Sequence, residues 1–155
     1  MSDLISSDLP FTQEQRATLD AVLPMIIPAS EDGTMPSAGE VDFLVWLAEY
    51  APDSVVAIQA TLNRIDAIAR DSGDAFAAMQ VANRSSVITS MFENEARTLS
   101  ALGDQVMACY YSDENVLKAL GASPGPPFPD GNTVEQSDLS LLDPVKERGK
   151  IWRDA

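Results

Sequence analysis

Apolar residues recur at three- and four-residue intervals through most of this chain, and the spacing stops where a proline-rich segment begins after Gly121. Such intervals place apolar side chains on one face of an α-helix, whereas a β-strand requires alternation at every second position. No part of residues 1–121 alternates for long enough to indicate a sheet. The sequence therefore predicts an all-α protein: a small irregular helical bundle over residues 1–121, followed by an extended proline-rich C-terminal arm over residues 122–155.

Capping signals and a proline indicate the limits of the first helices. Thr12 with Gln15, and Ser37 with Glu40, each form a capping box, in which two side chains satisfy backbone N–H groups at a helix start. We expect a helix to begin at each box. Pro24 should kink or end the first helix, because proline lacks an N–H and clashes with the carbonyl four residues earlier.

The spacing of apolar residues predicts the remaining helices. One should run over residues 53–70, one or two over residues 76–92, and a further one over residues 99–110. A short helix over residues 112–120 should end at Gly121, because glycine readily adopts the left-handed conformation that ends many helices.

The composition argues against several classes of function. The chain has 10 Lys and Arg against 24 Asp and Glu, a net charge of −14, no histidine and one cysteine. Nucleic acids and anionic membranes are unfavourable partners, because binding to them depends on clustered basic residues. Without histidine, the chain cannot form a Ser-His-Asp or Cys-His arrangement or an imidazole metal site. We therefore assign no catalytic, cofactor-binding or metal-ligating residue.

The single cysteine and the carboxylates are the remaining reactive groups. Cys109 lies on the apolar face of a predicted helix, which favours a small buried residue over a reactive or cross-linking thiol. Carboxylate pairs such as Asp71 with Asp74 and Glu93 with Glu95 could in principle carry out acid–base chemistry. Solvated helix surfaces and caps are the simpler interpretation, because carboxylates are mostly exposed.

The C-terminal arm combines prolines with bulky apolar residues. Residues 122–132 hold four of the ten prolines, and the apolar residues that follow have neither helical nor strand spacing. Disordered tails are poor in such residues, and exposing each large side chain costs about 1.5–3 kcal/mol. The arm should therefore bury them, either on its own bundle or along another protein. The candidate partner interface consists of Tyr110, Tyr111, Pro127, Phe128, Leu139, Leu141, Leu142, Val145 and Trp152.

The N-terminus has neither the basic start nor the apolar stretch of a secretory signal, and no apolar run approaches the ~20 residues that span a bilayer. We expect a cytoplasmic protein without direct membrane insertion, with the periplasm as the alternative.

The chain resembles the gluconate 2-dehydrogenase subunit 3 family, the small accessory subunits of FAD-dependent sugar and polyol dehydrogenases. The likeness lies in residues 11–20 (FTQEQRATLD), 25–29 (MIIPA), 38–43 (AGEVDF), 110–113 (YYSD), 126–129 (PPFP), 134–136 (VEQ), 138–145 (DLSLLDPV) and 152–154 (WRD). It spans nearly the whole chain, and the C-terminal string is the more specific part.

The resemblance implies a non-catalytic, chaperone-like subunit of a hetero-oligomer. A large subunit of the glucose–methanol–choline type would hold FAD and oxidise a sugar, glycoside or related alcohol, and some complexes add a cytochrome subunit. This chain itself would carry no cofactor. Many relatives have a twin-arginine export signal that is absent from this sequence, which favours a cytoplasmic complex.

Two other functions remain open. The chain could be a free-standing helical interaction protein or homodimer whose arm folds on itself, or an enzyme that relies on carboxylates alone.

Overall fold

The computed structural model describes residues 9–122 and 137–149. Over these two ranges the secondary structure consists of six α-helices and four short 3-10 turns, without a strand. The predicted all-α fold is therefore confirmed. The chain divides into two compact units, Met1–Pro124 and Gly125–Ala155. They are called the helical unit and the C-terminal unit below.

The helices of the helical unit are α1 (Gln13–Ile26), α2 (Phe43–Tyr50), α3 (Val55–Asp71), α4 (Val81–Tyr110) and α5 (Glu114–Ala119). Three 3-10 turns, Ala38–Glu40, Pro52–Ser54 and Phe76–Ala78, connect them. The C-terminal unit contains the 3-10 turn Leu139–Leu142 and α6 (Asp143–Glu147).

Helix α1 begins at the predicted capping box. The Gln15 N–H donates to Thr12 Oγ1 at 3.1 Å, and the Thr12 N–H donates to Gln15 Oε1 at 2.9 Å. Pro24 lies inside the helix, which continues to Ile26. Because Pro24 is in the last turn, the helix loses a single backbone hydrogen bond there and ends two residues later.

The second capping box does not open a long helix, contrary to the prediction. The Ser37 N–H donates to Glu40 Oε1 at 2.9 Å, but this pair closes only the turn Ala38–Glu40. The next residue, Val41, is extended and buried, so that α2 begins at Phe43. Burial of the Val41 side chain accompanies this interruption of the helix.

Helix α4 joins segments that the sequence predicted as separate helices. It runs for 30 residues and bends at Glu95, whose φ of −137° and ψ of 38° are not helical. Helix α3 holds the bend: Arg64 Nε donates to both Glu95 carboxylate oxygens at 2.9 Å. The Thr61 hydroxyl donates to the Thr98 carbonyl at 2.9 Å. The bend in α4 is therefore bound by partners more than 30 residues away in the sequence, which local sequence signals could not predict.

A single hydrophobic core lies among these helices. Its largest fully buried side chains are Leu19, Val22, Leu47, Ile58, Leu62, Ile65, Phe76, Met91, Leu102, Val106, Tyr110 and Val116. The short helix α5 forms within the predicted range. Asp113 caps it by accepting from the Asn115 N–H at 2.8 Å, and Gly121 follows its end with a φ of 75°.

The C-terminal unit is helical over Leu139–Leu142 and Asp143–Glu147, where the apolar residues show no helical spacing in the sequence. Asp138 Oδ1 accepts from the Ser140 N–H at 3.0 Å, and Pro144 lies in the first turn of α6. A turn of four residues followed by a helix of five is too short to show a repeat, so spacing failed to predict it. The extended conformation predicted for residues 122–132 falls almost entirely outside the described residues. The predicted packing of the arm stays a prediction.

Candidate partner interface

The predicted interface residues of the C-terminal unit are exposed. Leu139, Leu141, Leu142 and Val145 have exposed fractions of 61%, 75%, 49% and 54%. Leu142 and Val145 line a shallow depression of about 430 Å³ together with Lys146 and Gly149. Apolar side chains presented in this way can be buried by a binding partner. Three other predicted interface residues, Pro127, Phe128 and Trp152, lie outside the described residues.

The two tyrosines at the end of α4 have different environments. The Tyr110 ring is buried, its hydroxyl donates to the Pro36 carbonyl at 2.7 Å, and desolvation raises its pKa. The neighbouring Tyr111 ring is 49% exposed and meets the Tyr110 ring edge-on, with 5.2 Å between centroids. The surface of the helical unit therefore presents Tyr111, while Tyr110 belongs to the core.

Cys109 is a buried member of the core, as predicted. Desolvation, with the Asp113 and Asp42 carboxylates as further causes, raises the pKa of its thiol to about 12. Because the thiolate is the nucleophile, such a thiol is unreactive near neutral pH.

Glu95 belongs to one of the two carboxylate pairs that could in principle carry out acid–base chemistry. Glu95 is bound to Arg64, whose hydrogen bonds lower the pKa of the carboxyl. This geometry joins α3 to α4 and keeps Glu95 ionised. Within residues 9–122 and 137–149, no group of three or more His, Cys, Asp or Glu side chains could hold a metal ion. No helix in the same ranges is long and apolar enough to cross a membrane.

The structure also shows an apolar groove between α1 and α4 that the sequence did not predict. Its volume is about 360 Å³. Helix α1 contributes Val22, Met25 and Ile26, and α4 contributes Ile88, Phe92, Ala96, Leu99, Ser100 and Gly103. Among the residues that the structure describes, no charged side chain lines it.

Helix α4 forms the groove because it carries two apolar stripes. Val87 and Met91 belong to the stripe that faces the core. Ile88 directly follows Val87, and Phe92 directly follows Met91. One position along a helix corresponds to a rotation of about 100° around its axis. This second stripe leaves Phe92 67% exposed. The signal that the sequence analysis missed was a pair of adjacent apolar residues in two successive turns, Val87–Ile88 and Met91–Phe92, because one core-facing stripe needs only one apolar residue in each.

The helical unit carries a large excess of negative charge. Residues 9–122 contain sixteen Asp and Glu against six Lys and Arg. Arg70 pairs with Asp66 at 2.5 Å, and Lys118 with Glu114 at 3.1 Å, while Arg64 pairs with Glu95. The surplus carboxylates would attract a partner surface that carries basic residues.

The fold and these surfaces define a small all-α protein that exposes apolar side chains, as proteins that bind other proteins do. Residues 13–122 match the family model described as gluconate 2-dehydrogenase subunit 3. The match begins at the first residue of α1 and extends past α5. The chain therefore belongs to the gluconate 2-dehydrogenase subunit 3 family, and the resemblance in the sequence is confirmed. Membership implies a subunit of a dehydrogenase complex. No curated protein and no solved structure matches the chain significantly.

Proposed function

We propose that this chain is a non-catalytic accessory subunit that binds and stabilises a large FAD-dependent subunit. The large subunit, of the glucose–methanol–choline type, would hold the flavin and oxidise a sugar, glycoside or related alcohol. The observation that carries this proposal is the family match over residues 13–122. A cytochrome subunit as electron acceptor and a cytoplasmic location both stay predictions.

The accessory role would operate through binding free energy. A protein that binds only the folded form of its partner stabilises that form by mass action, by about 2.7 kcal/mol when it is present at 100 times its Kd. Four apolar side chains of the C-terminal unit are suited to supply such binding, because their exposed fractions lie between 49% and 75%: Leu139, Leu141, Leu142 and Val145. Full burial of each side chain contributes about 1.5–3 kcal/mol before the costs of association.

Co-expression tests the proposed function directly. We expect a reading frame next to this gene to encode the large flavoprotein. That flavoprotein is produced with and without this chain, which carries an affinity tag. We expect the flavoprotein to co-purify with the tag, and its yield and bound flavin to fall severalfold without the small subunit. Equal yield and flavin content in both cultures, with no co-purification, would refute the proposal.

A second pair of variants tests the predicted interface in the C-terminal unit. Replacement of Leu139, Leu141, Leu142 and Val145 by serine should weaken co-purification of the flavoprotein. Since all four are exposed, the variant should retain the helical circular dichroism spectrum. Truncation after Gly121 should have a larger effect. Val56→Ser is the matched control, because Val56 is 75% exposed on α3, in the helical unit. If the truncated chain recovers the flavoprotein fully, the arm is not the interface.

The alternative, a free-standing protein or homodimer, predicts a different outcome. Size-exclusion chromatography with light scattering on the purified chain would then show a stable dimer, or a monomer that does not bind the flavoprotein.

A further inference from the structure

The groove between α1 and α4 has the shape of a site for a third helix. Its α4 wall runs from Ile88 through the bend at Glu95 to Gly103, which corresponds to at most about 22 Å along the path of α4. Two neighbouring helices form a channel between their side-chain ridges, and an amphipathic helix can lay its apolar face into such a channel. This length suits up to about four turns of a bound helix.

The lining of the groove determines the chemistry of the occupant. Seven of the nine lining residues are apolar, and the other two are Ser100 and Gly103. Phe92 remains 67% exposed at the wall. A Cβ atom added at Gly103 would meet no atom of the described part of the chain within 4 Å, so the groove is open there with respect to those residues. Apolar side chains are therefore the favoured occupants, because a polar group would find almost no hydrogen-bond partner there.

Charge distinguishes between a second copy of this chain and a different partner. The sixteen acidic residues of residues 9–122 outnumber the six basic ones, so two copies would bring like charges together. Three basic side chains, Arg64, Arg70 and Lys118, are already paired with carboxylates of the same unit. The complementary partner is one whose apolar helix lies on a basic surface.

We infer that this groove docks an apolar helix from a basic face of the large subunit, with Phe92 as its central contact. This inference rests on the proposed function and adds a second binding surface to the C-terminal residues discussed above.

Two variants that act in different ways test the groove. Phe92→Asp places a charge on its wall, and Gly103→Leu fills it with a side chain. Both positions have space, so both variants should fold. Val56→Asp is the matched control, because it makes the same apolar-to-acidic change at a 75% exposed position on α3. Full-length small subunits are titrated against the purified flavoprotein by calorimetry, and circular dichroism checks their folding.

We expect each groove variant to weaken binding by roughly tenfold or more, while Val56→Asp stays within about twofold of the wild type. Wild-type binding should also weaken as salt is raised, because salt screens a basic face from an acidic one.

Wild-type affinity for both groove variants would overturn the docking site. An affinity that does not change with salt concentration would refute the proposal that the partner's docking surface is basic. A wild-type dimer that Phe92→Asp converts to a monomer would assign the groove to a second copy. Failure of the wild-type chain to bind the flavoprotein would instead refute the proposed function.

Discussion

The helical unit and the C-terminal unit use the same apolar residue types in opposite ways. In residues 9–122, side chains from all five helices are buried in one core. In residues 137–149, every residue is exposed, including three leucines. Across both ranges, each buried side-chain nitrogen or oxygen has a hydrogen-bond partner. The comparison shows that hydrophobicity indicates which residues need burial, while the fold determines which of them obtain it within the chain.

The largest expected effect comes from truncating leucines in the two units. Leu62→Ala should lower the free energy of unfolding by about 2–5 kcal/mol, because Leu62 is fully buried on α3 and its loss leaves a cavity. Leu141→Ala, at a 75% exposed position, should change it by less than about 0.5 kcal/mol. Urea denaturation followed by circular dichroism measures both values. Equal losses would contradict the contrast between the units.

A smaller effect separates the two tyrosines at the end of α4. Tyr110→Phe removes the hydroxyl that donates to the Pro36 carbonyl and should cost about 0.5–1.5 kcal/mol. Tyr111→Phe should leave the free energy of unfolding nearly unchanged, because its ring is half exposed. The same denaturation experiment measures the pair. A larger loss at Tyr111 would place that residue, rather than Tyr110, in the core contacts.

The smallest effect concerns acid stability and compares one carboxylate from each unit. Asp32 accepts hydrogen bonds from the Ser30 hydroxyl at 2.6 Å and from the Thr34 backbone and side chain, which lower its pKa from 3.8 to about 2. Because the folded pKa is the lower one, this contribution is present above pH 3.8 and disappears as the pH falls through about 2.

Asp32→Asn should therefore flatten the pH dependence of unfolding of the helical unit between about pH 4 and pH 2. The control is Asp138→Asn in the C-terminal unit, where hydrogen bonds from Ser140 also lower the pKa. That variant should leave the curve of the helical unit unchanged. Denaturant titrations at a series of pH values test the difference, and an identical slope for wild type and Asp32→Asn would show that the prediction is wrong.

Local signals explain the parts of the fold that could be predicted. The Thr12–Gln15 box lies within four residues of sequence, and its geometry follows from any helix start with those side chains. Asp113 before α5 and Gly121 after it act over equally short distances. The burial of Cys109 followed from its place on an apolar helix face. The family resemblance came from residue strings and needed no coordinates.

Long-range contacts explain the errors. The prediction ended one helix at Phe92 and began the next at Leu99, but α4 continues through these residues. Arg64 and Thr61 on α3 bind it at and after the bend. The Ser37–Glu40 box failed to open α2 because the extended, buried Val41 interrupts the helix.

By itself, the sequence determined that this protein is helical, acidic and related to the gluconate 2-dehydrogenase subunit 3 family, because residue spacing, charge and local motifs do not depend on distant neighbours. Only the tertiary structure decided that Met91 is buried while Phe92 lines an open groove. Adjacent positions on a helix point about 100° apart, and the placement of the neighbouring helices determines which direction is filled. A helix face becomes a core or a binding surface through what packs against it.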